Sequence, residues 1–432
     1  MSEPGGDIHD ALYARVSRRL LPFLFVCYVV AYLDRVNVGF AKLQMQADLA
    51  LSDTVYGIGA GVFFVGYFLF EVPSNLLLEK VGARRWIARI MVSWGVVSAA
   101  TMFAGGPVSF YLLRFLLGVA EAGFFPGVVL YLTYWYPARR RARIVALFMS
   151  GVAVAGVLGG PLSGWIMERF AGSGGLHGWQ WLFLLEGIPS VALGIWTWFY
   201  LDDSIRAARW LTDADKSVLE RELAPEQAAR AHLPLRQVFA SGRVWHLALV
   251  YFLFVMGLYG VSFWLPQLIR NSGVAGVFDI GLLTAIPYAC AAIVMVLAAR
   301  HSDRSGERHW HASLAGCAGA IGLLASVVYA DNTAIALAAL SLATAGILTT
   351  FPIFWSLPTA LLGGTAAAAG IALINSVGNL AGFVSPYLVG AVRDATGSTT
   401  GGMLVLAASL LAGAVAVIVT SGTGTCHRGG RP

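Results

Sequence analysis

Charge is what this 432-residue sequence has least of: only 12% of its residues are Asp, Glu, Lys or Arg. Soluble domains carry about 25%, so a set of water-exposed folded domains is excluded. Cysteine is also sparse. Cys27, Cys290, Cys317 and Cys426 are scattered, which excludes a disulfide framework and the paired spacing of a structural metal site. No nucleotide-binding motif or catalytic triad can be read, and five histidines (His9, His177, His232, His301, His309) fall in loops or tails. The basic pI does not indicate nucleic acid, because the basic residues are spread over many short loops. Hydrophilic stretches of any length are nearly missing as well; Asp202 to Arg243 is the only long one.

Apolar sequence is abundant. The chain is 58% hydrophobic, with a mean hydropathy of +0.72. A bilayer core of ~30 Å needs roughly 20 apolar residues in a helix, and twelve such runs occur: 20–42, 56–78, 86–104, 108–133, 144–167, 179–201, 244–268, 279–299, 311–330, 334–356, 368–390 and 401–421. The expected architecture is an all-α membrane protein with two six-helix bundles, 20–201 and 244–421. A tail (1–19), a linker (202–243) and a second tail (422–432) complete it. LTDADKSVLERELA in the linker reads as an amphipathic helix. The first run is too long for a signal-peptide core and lacks a small-residue cleavage site, so it is expected to remain as the first span. All but six of the 29 lysines and arginines fall on the side of the tails and linker. The positive-inside rule then puts both termini in the cytoplasm.

The halves echo each other. Glu79-Lys80-Val81-Gly82-Ala83-Arg84-Arg85 and Asp303-Arg304-Ser305-Gly306-Glu307-Arg308 share acid, base and glycine at an offset of 224 residues, and Pro161 and Pro386 align at 225. A duplicated chain of this kind is the layout of a transporter with its site between the repeats.

Charges inside apolar runs carry the functional signal. Asp34 and Arg35 stand side by side in the first run, and Arg114 and Glu121 in the fourth. Each full charge at the bilayer centre costs at least ~2.5–3.5 kcal/mol, so such residues are usually functional. Seven residues make two helical turns, so Arg114 and Glu121 share a face about 10 Å apart. A low-dielectric cavity favours the neutral form of a carboxyl group, which lets an acid bind and release a proton. Arginine keeps its charge and offers a planar fork to a carboxylate. Asp34 and Glu121 are therefore candidate proton carriers, Arg35 the better candidate for direct substrate contact, and Arg114 for steering or for holding an acid charged. A purely structural pairing, Asp34 with Arg114 or Glu121 with Arg35, is the alternative.

The chain resembles the major facilitator superfamily in the loop 79–85, with Asn75 where a glycine is usual. More narrowly it is similar to the anion:cation symporter family in YLDRVNVGFA (32–41), GYFLFEVPSNLLLEKVGARRW (66–86), RFLLGVAEAGFFPGVVLYLTYWYP (114–137), FLLEGIPS (183–190) and GTAAAAGIALINSVGNLAGFVSPYLVG (364–390). The resemblance implies the major facilitator fold, a bacterial inner-membrane carrier, and proton-coupled import of a carboxylate such as a tartrate-like diacid, an aromatic acid or a sugar acid. It also implies that Tyr32, Tyr67, Trp355 and Asn375 (or Asn379) line the cavity beside Arg35, with helix packing as the bland reading of each. Glu79, Lys80, Gly82, Arg84, Arg85, Asp303, Arg304, Gly306 and Arg308 are expected to latch the cytoplasmic face in the outward-open state. Glu71 and Glu186 are read as structural, Glu186 pairing with a loop arginine or capping a helix. No cofactor, metal or nucleic acid is expected, and a monomer is the superfamily default. A proton-coupled drug or cation exporter on the same fold is the rival function; a membrane-embedded enzyme or receptor is a weaker one.

Overall fold

A computed structural model describes residues 4–228, 240–361 and 365–422. The C-terminal tail beyond Gly422 and the middle of the linker lie outside them. With no water in a bilayer to satisfy backbone groups, each apolar run must close its own hydrogen bonds as a helix. Twelve helices long and apolar enough to cross a membrane follow in order: His9–Asp48, Asp53–Val81, Ala83–Phe103, Pro107–Thr133, Arg139–Arg169, Gly178–Tyr200, Gly242–Asn271, Val277–Ser305, His309–Val328, Thr333–Pro358, Gly370–Thr396 and Thr400–Val419. They are numbered here as spans 1 to 12. They form the two pseudo-symmetric six-helix bundles of the major facilitator fold, and no strand occurs among the described residues.

The first helix starts at Pro4, well before the expected Leu20. Its early turns bury Leu12, Tyr13 and Val16 and reach a linker helix, Asp213–Ala228. Tyr13 donates to Glu222 at 3.1 Å and Arg15 pairs with Asp215 at 2.8 Å. Polar residues that cannot enter a bilayer are thus still helical, because the linker gives them a partner. The N-terminal segment and the linker share one end of the molecule, called here the linker end; the other is the far end.

The bundles meet along spans 5 and 8 and along spans 2 and 11, and their closest approaches lie in the far half. Gly160 and Gly281 face each other so closely that a Cβ on either would sit 2.4–2.5 Å from the other's carbonyl oxygen. Along spans 2 and 11, Arg393 pairs with Asp53 at 2.9 Å, and Asp394 accepts from the backbone N–H groups of Asp53 and Thr54 at 3.0 and 2.7 Å. Lys42 joins the same cluster, 2.7 Å from Asp53 and 3.4 Å above the ring of Trp264. A helix N-terminus favours an anion, so Asp394 of one bundle caps span 2 of the other. The far end is sealed.

The latch candidates make no cross-bundle ion pair among the described residues. Arg84 pairs with Asp203 of the linker, Arg85 faces the ring of Trp198, and Arg308 donates to the Ser356 carbonyl within the second bundle.

Candidate functional site

Span 4 breaks at its charged residue. The helix Pro107–Glu121 ends at Ala122, and Gly123 turns the chain with φ +86° before a new helix starts at Phe124. A Cβ there would lie 2.4 Å from Ser74 Oγ. Only glycine meets both demands, the positive φ and the close approach. Glu121 is left at a helix C-terminus, the unfavourable end for a carboxylate, and it is fully buried. It is held by Arg35, whose Nη2 contacts Glu121 Oε1. Arg35 occupies the last turn of the first helix segment, just before a one-residue interruption at Asn37.

The Arg35 guanidinium is the hub. Beyond Glu121, its Nη1 donates to Tyr259 of span 7 at 3.2 Å. Its carbon lies 5.3 Å from the ring centre of Phe63 and 5.5 Å from that of Tyr67. Arg114 approaches from the far side, where Nη2 donates to the carbonyls of Arg35 and Ala60 at 3.4 Å. Arg114 and Glu121 both face span 1, as their seven-residue spacing requires. Three groups keep unused capacity although buried, namely Arg35 Nε, Arg114 Nε and Nη1, and Glu121 Oε2.

Asp34 is separate from this hub. The pairing with Arg114 is not made. Trp94 Nε1 and Ser98 Oγ of span 3 each donate to Asp34 at 2.8 Å, and Ser190 Oγ of span 6 donates to it as well. Its neighbour Arg35 points elsewhere because adjacent helical positions diverge by about 100°. Tyr32 hydrogen-bonds Ser262 at 3.4 Å, and Ser262 in turn accepts from Tyr288 at 3.3 Å. Ser262 and Tyr288 border a cavity of about 20 Å³ between spans 1, 5, 7 and 8, also lined by Asn37 and Thr284, room for a water or so.

The remaining candidates lie toward the linker end. Trp355 packs against Tyr251 with ring centres 4.8 Å apart. Asn375 Nδ2 donates to Glu71 Oε1 at 3.2 Å, and Ser376 Oγ to Glu71 Oε2 at 3.0 Å. Of the two asparagines, Asn375 makes the contact across the bundles. Glu186 takes Ser163 Oγ at 2.8 Å and neither pairs with an arginine nor caps a helix, which corrects both readings offered for it. Sequence reasoning missed Tyr259, Ser262, Tyr288 and Ser376. One signal for Tyr259 was available: it stands 224 residues from Arg35, the offset of the internal repeat.

The Major Facilitator Superfamily model matches residues 24–386. The chain belongs to the Major Facilitator Superfamily. It is 50% identical to NicT of Pseudomonas putida, assigned to metabolite transport, over 94% of each chain. It is 49% identical to an Agrobacterium vitis protein assigned to tartrate transport, over 96% of this chain and 92% of that one. A quinolone resistance transporter of Acinetobacter baumannii is 42% identical over 95% and 94%. The fold matches the xylose transporter XylE from E. coli in a partially occluded inward-open conformation, with TM-score 0.72 and 14% identity over 95% of this chain and 100% of that chain. The protein is a multi-pass membrane transporter of the superfamily, and not an enzyme.

Proposed function

We propose that the protein imports a small organic carboxylate together with protons, alternating access between the two sides of the bacterial inner membrane. The observation that carries this reading is the buried Arg35–Glu121 pair with spare donors on Arg35 and Arg114 around it. An incoming carboxylate competes with Glu121 for Arg35 and finds further donors on both arginines; Glu121, displaced, takes a proton. Asp34 is the second proton carrier, held ready by its three neutral donors. Tyr32, Tyr67, Trp355 and Asn375 shape the substrate. With both termini and the linker in the cytoplasm, the sealed far end is periplasmic. The latch residues Glu79, Lys80, Arg84, Arg85, Asp303, Arg304 and Arg308, on the loops turned by Gly82 and Gly306, then close the cytoplasmic face in the outward-open state. The protein acts as a monomer.

Reconstituted into liposomes, the protein should take up tartrate-like, aromatic or sugar acids, and collapsing the pH gradient and membrane potential should stop accumulation. Accumulation that ignores both would sink the proposal. The relative named for quinolone resistance favours a second reading, a proton-coupled drug exporter on the same fold. Arg35→Gln separates the two, because an anion carrier loses substrate while a cation exporter loses a repulsive charge and gains it.

A further inference from the structure

Glu71 is a buried acid that the transport cycle above does not use. It lies in the linker half of span 2, ten residues from that span's end at Val81, and is 4% exposed. Its two carboxylate oxygens are bound by neutral donors only, and both donors belong to the opposite bundle. No cation pairs with it among the described residues. A buried carboxylate without a counter-charge is expensive, and a residue serving only to pack spans 2 and 11 together would be cheaper if apolar. An amide N–H and a hydroxyl converging on two carboxylate oxygens are, however, the donor set for a carboxylate ligand.

We propose that Asn375 and Ser376 form a second carboxylate subsite, opposite Arg35, and that Glu71 is a built-in occupant which a dicarboxylic acid displaces. The inference rests on the anion-carrier reading and deepens it. Tyr67 stands between the two poles: its ring faces the Arg35 guanidinium at 5.5 Å, and Glu71 follows it by one helical turn of about 5.4 Å. The carboxyl carbons of a four-carbon diacid lie about 4 Å apart, and a hydrogen bond of about 2.8 Å beyond a carboxylate oxygen at each end lets it bridge donors roughly 10 Å apart, close to the sum of those two steps. Such a molecule reaches both poles, one carboxylate on a charged fork in the first bundle and the other on neutral donors in the second. A short monoacid reaches only Arg35. The occupant keeps the bundles bridged when no substrate is present, and its displacement makes diacid binding weaker than the subsite alone would allow.

The test compares tartrate with glycerate by calorimetry on the purified full chain. Glu71→Ala frees the subsite, so tartrate should bind about tenfold more tightly, the worth of one or two hydrogen bonds to a charged group. Glycerate should change little. Asn375→Ala should lower the preference for tartrate over glycerate by about tenfold. If Glu71→Ala tightens both acids equally, the effect is loss of a nearby negative charge and the proposal falls; it falls also if tartrate binding is unchanged or weaker. Should Glu71→Ala not fold, Asn375→Ala decides alone, and an unchanged preference overturns the subsite. If neither acid binds the unaltered protein, the anion-carrier reading fails instead.

Discussion

The two bundles share a fold and a sequence repeat, yet their interiors differ in kind. The first buries seven acidic or basic side chains: Asp34, Arg35, Lys42, Glu71, Arg114, Glu121 and Glu186. The second buries none among the described residues; its buried polar groups are those of Ser, Thr, Gln, Tyr and Trp. Repeat positions make the contrast concrete. Arg35 meets its own counterpart, Tyr259, across the pseudo-symmetry axis, and the same offset carries Asp34, Arg114 and Glu121 onto Leu258, Ala338 and Ala345. Proton and anion chemistry belong to the first bundle, whereas the second presents neutral donors and rings against it.

The sharpest way to break this division is to compare the two members of the Arg35–Tyr259 pair. Arg35→Gln removes a charged fork and strands Glu121 at its helix terminus. Organic-acid affinity should fall on the order of 100-fold, read by titration calorimetry. Tyr259→Phe removes one neutral hydrogen bond and should cost only about 2- to 10-fold in the same assay. Equal losses would mean that the bundles share the substrate charge evenly. Glu121→Gln comes next: uptake should lose most of its dependence on an inward-acid gradient, while exchange of labelled for unlabelled acid across the membrane persists. Asp34→Asn probes the other acid. Its cage of three donors cannot be satisfied by an amide that must itself donate, so about 1–3 kcal/mol of stability should be lost, seen as a lower Tm.

How far the sequence reveals this site follows from what each residue does locally. The twelve spans are legible because a bilayer leaves an apolar run no alternative to a helix, and the four central charges stand out because their cost there is unusual. Seven-residue spacing correctly puts Arg114 and Glu121 on one face. What stays hidden is pairing between elements distant in sequence. Asp34 and Arg35 are neighbours in the chain but belong to different hydrogen-bond networks, since Asp34 faces spans 3 and 6 and Arg35 faces spans 4 and 7. The break at Gly123 is hidden for another reason: glycines abound in this chain, 50 in all, so one that turns a helix looks like one that packs it. Lys42 reads as an ordinary flanking lysine, and only the fold sets it against Asp53 and Trp264.

Among the described residues, charge of the second bundle engages the first at the far end. Arg393→Gln removes the pair with Asp53 but leaves Lys42 there, so the seal should weaken without failing. A partly exposed ion pair is worth about 1 kcal/mol, which shifts the conformational balance by a few-fold. A cysteine placed at Gly390, where span 11 abuts Asp53, would strain the seal itself, so position 54 is the better reporter. Thr54→Cys should be labelled a few-fold faster by a membrane-impermeant reagent added from the far side when Arg393→Gln is present. Labelling unchanged by Arg393→Gln would place the seal in the packing of spans 5 and 8 instead.

The smallest effect concerns the linker, whose described residues are bound to the first bundle. Glu222 gathers His9, Tyr13 and Arg139, Asp215 holds Arg15, and Asp203 holds Arg84; all five partners belong to the first bundle. Burial alone would raise the Glu222 carboxyl, but hydrogen bonds from Arg139 and Tyr13 and the Arg139 charge outweigh it and hold the group below its ordinary 4.5. A carboxyl depressed by folding contributes stability that is present above its unfolded value and is lost as pH falls through the folded one. Acidification below about pH 4.5 should therefore loosen the helix Asp213–Ala228 before either bundle. Hydrogen exchange should show its amides losing protection first, and Glu222→Gln should show the same loosening at neutral pH. If the second bundle loosens together with the linker helix, the linker is a tie between the halves and the second bundle does not move free of it.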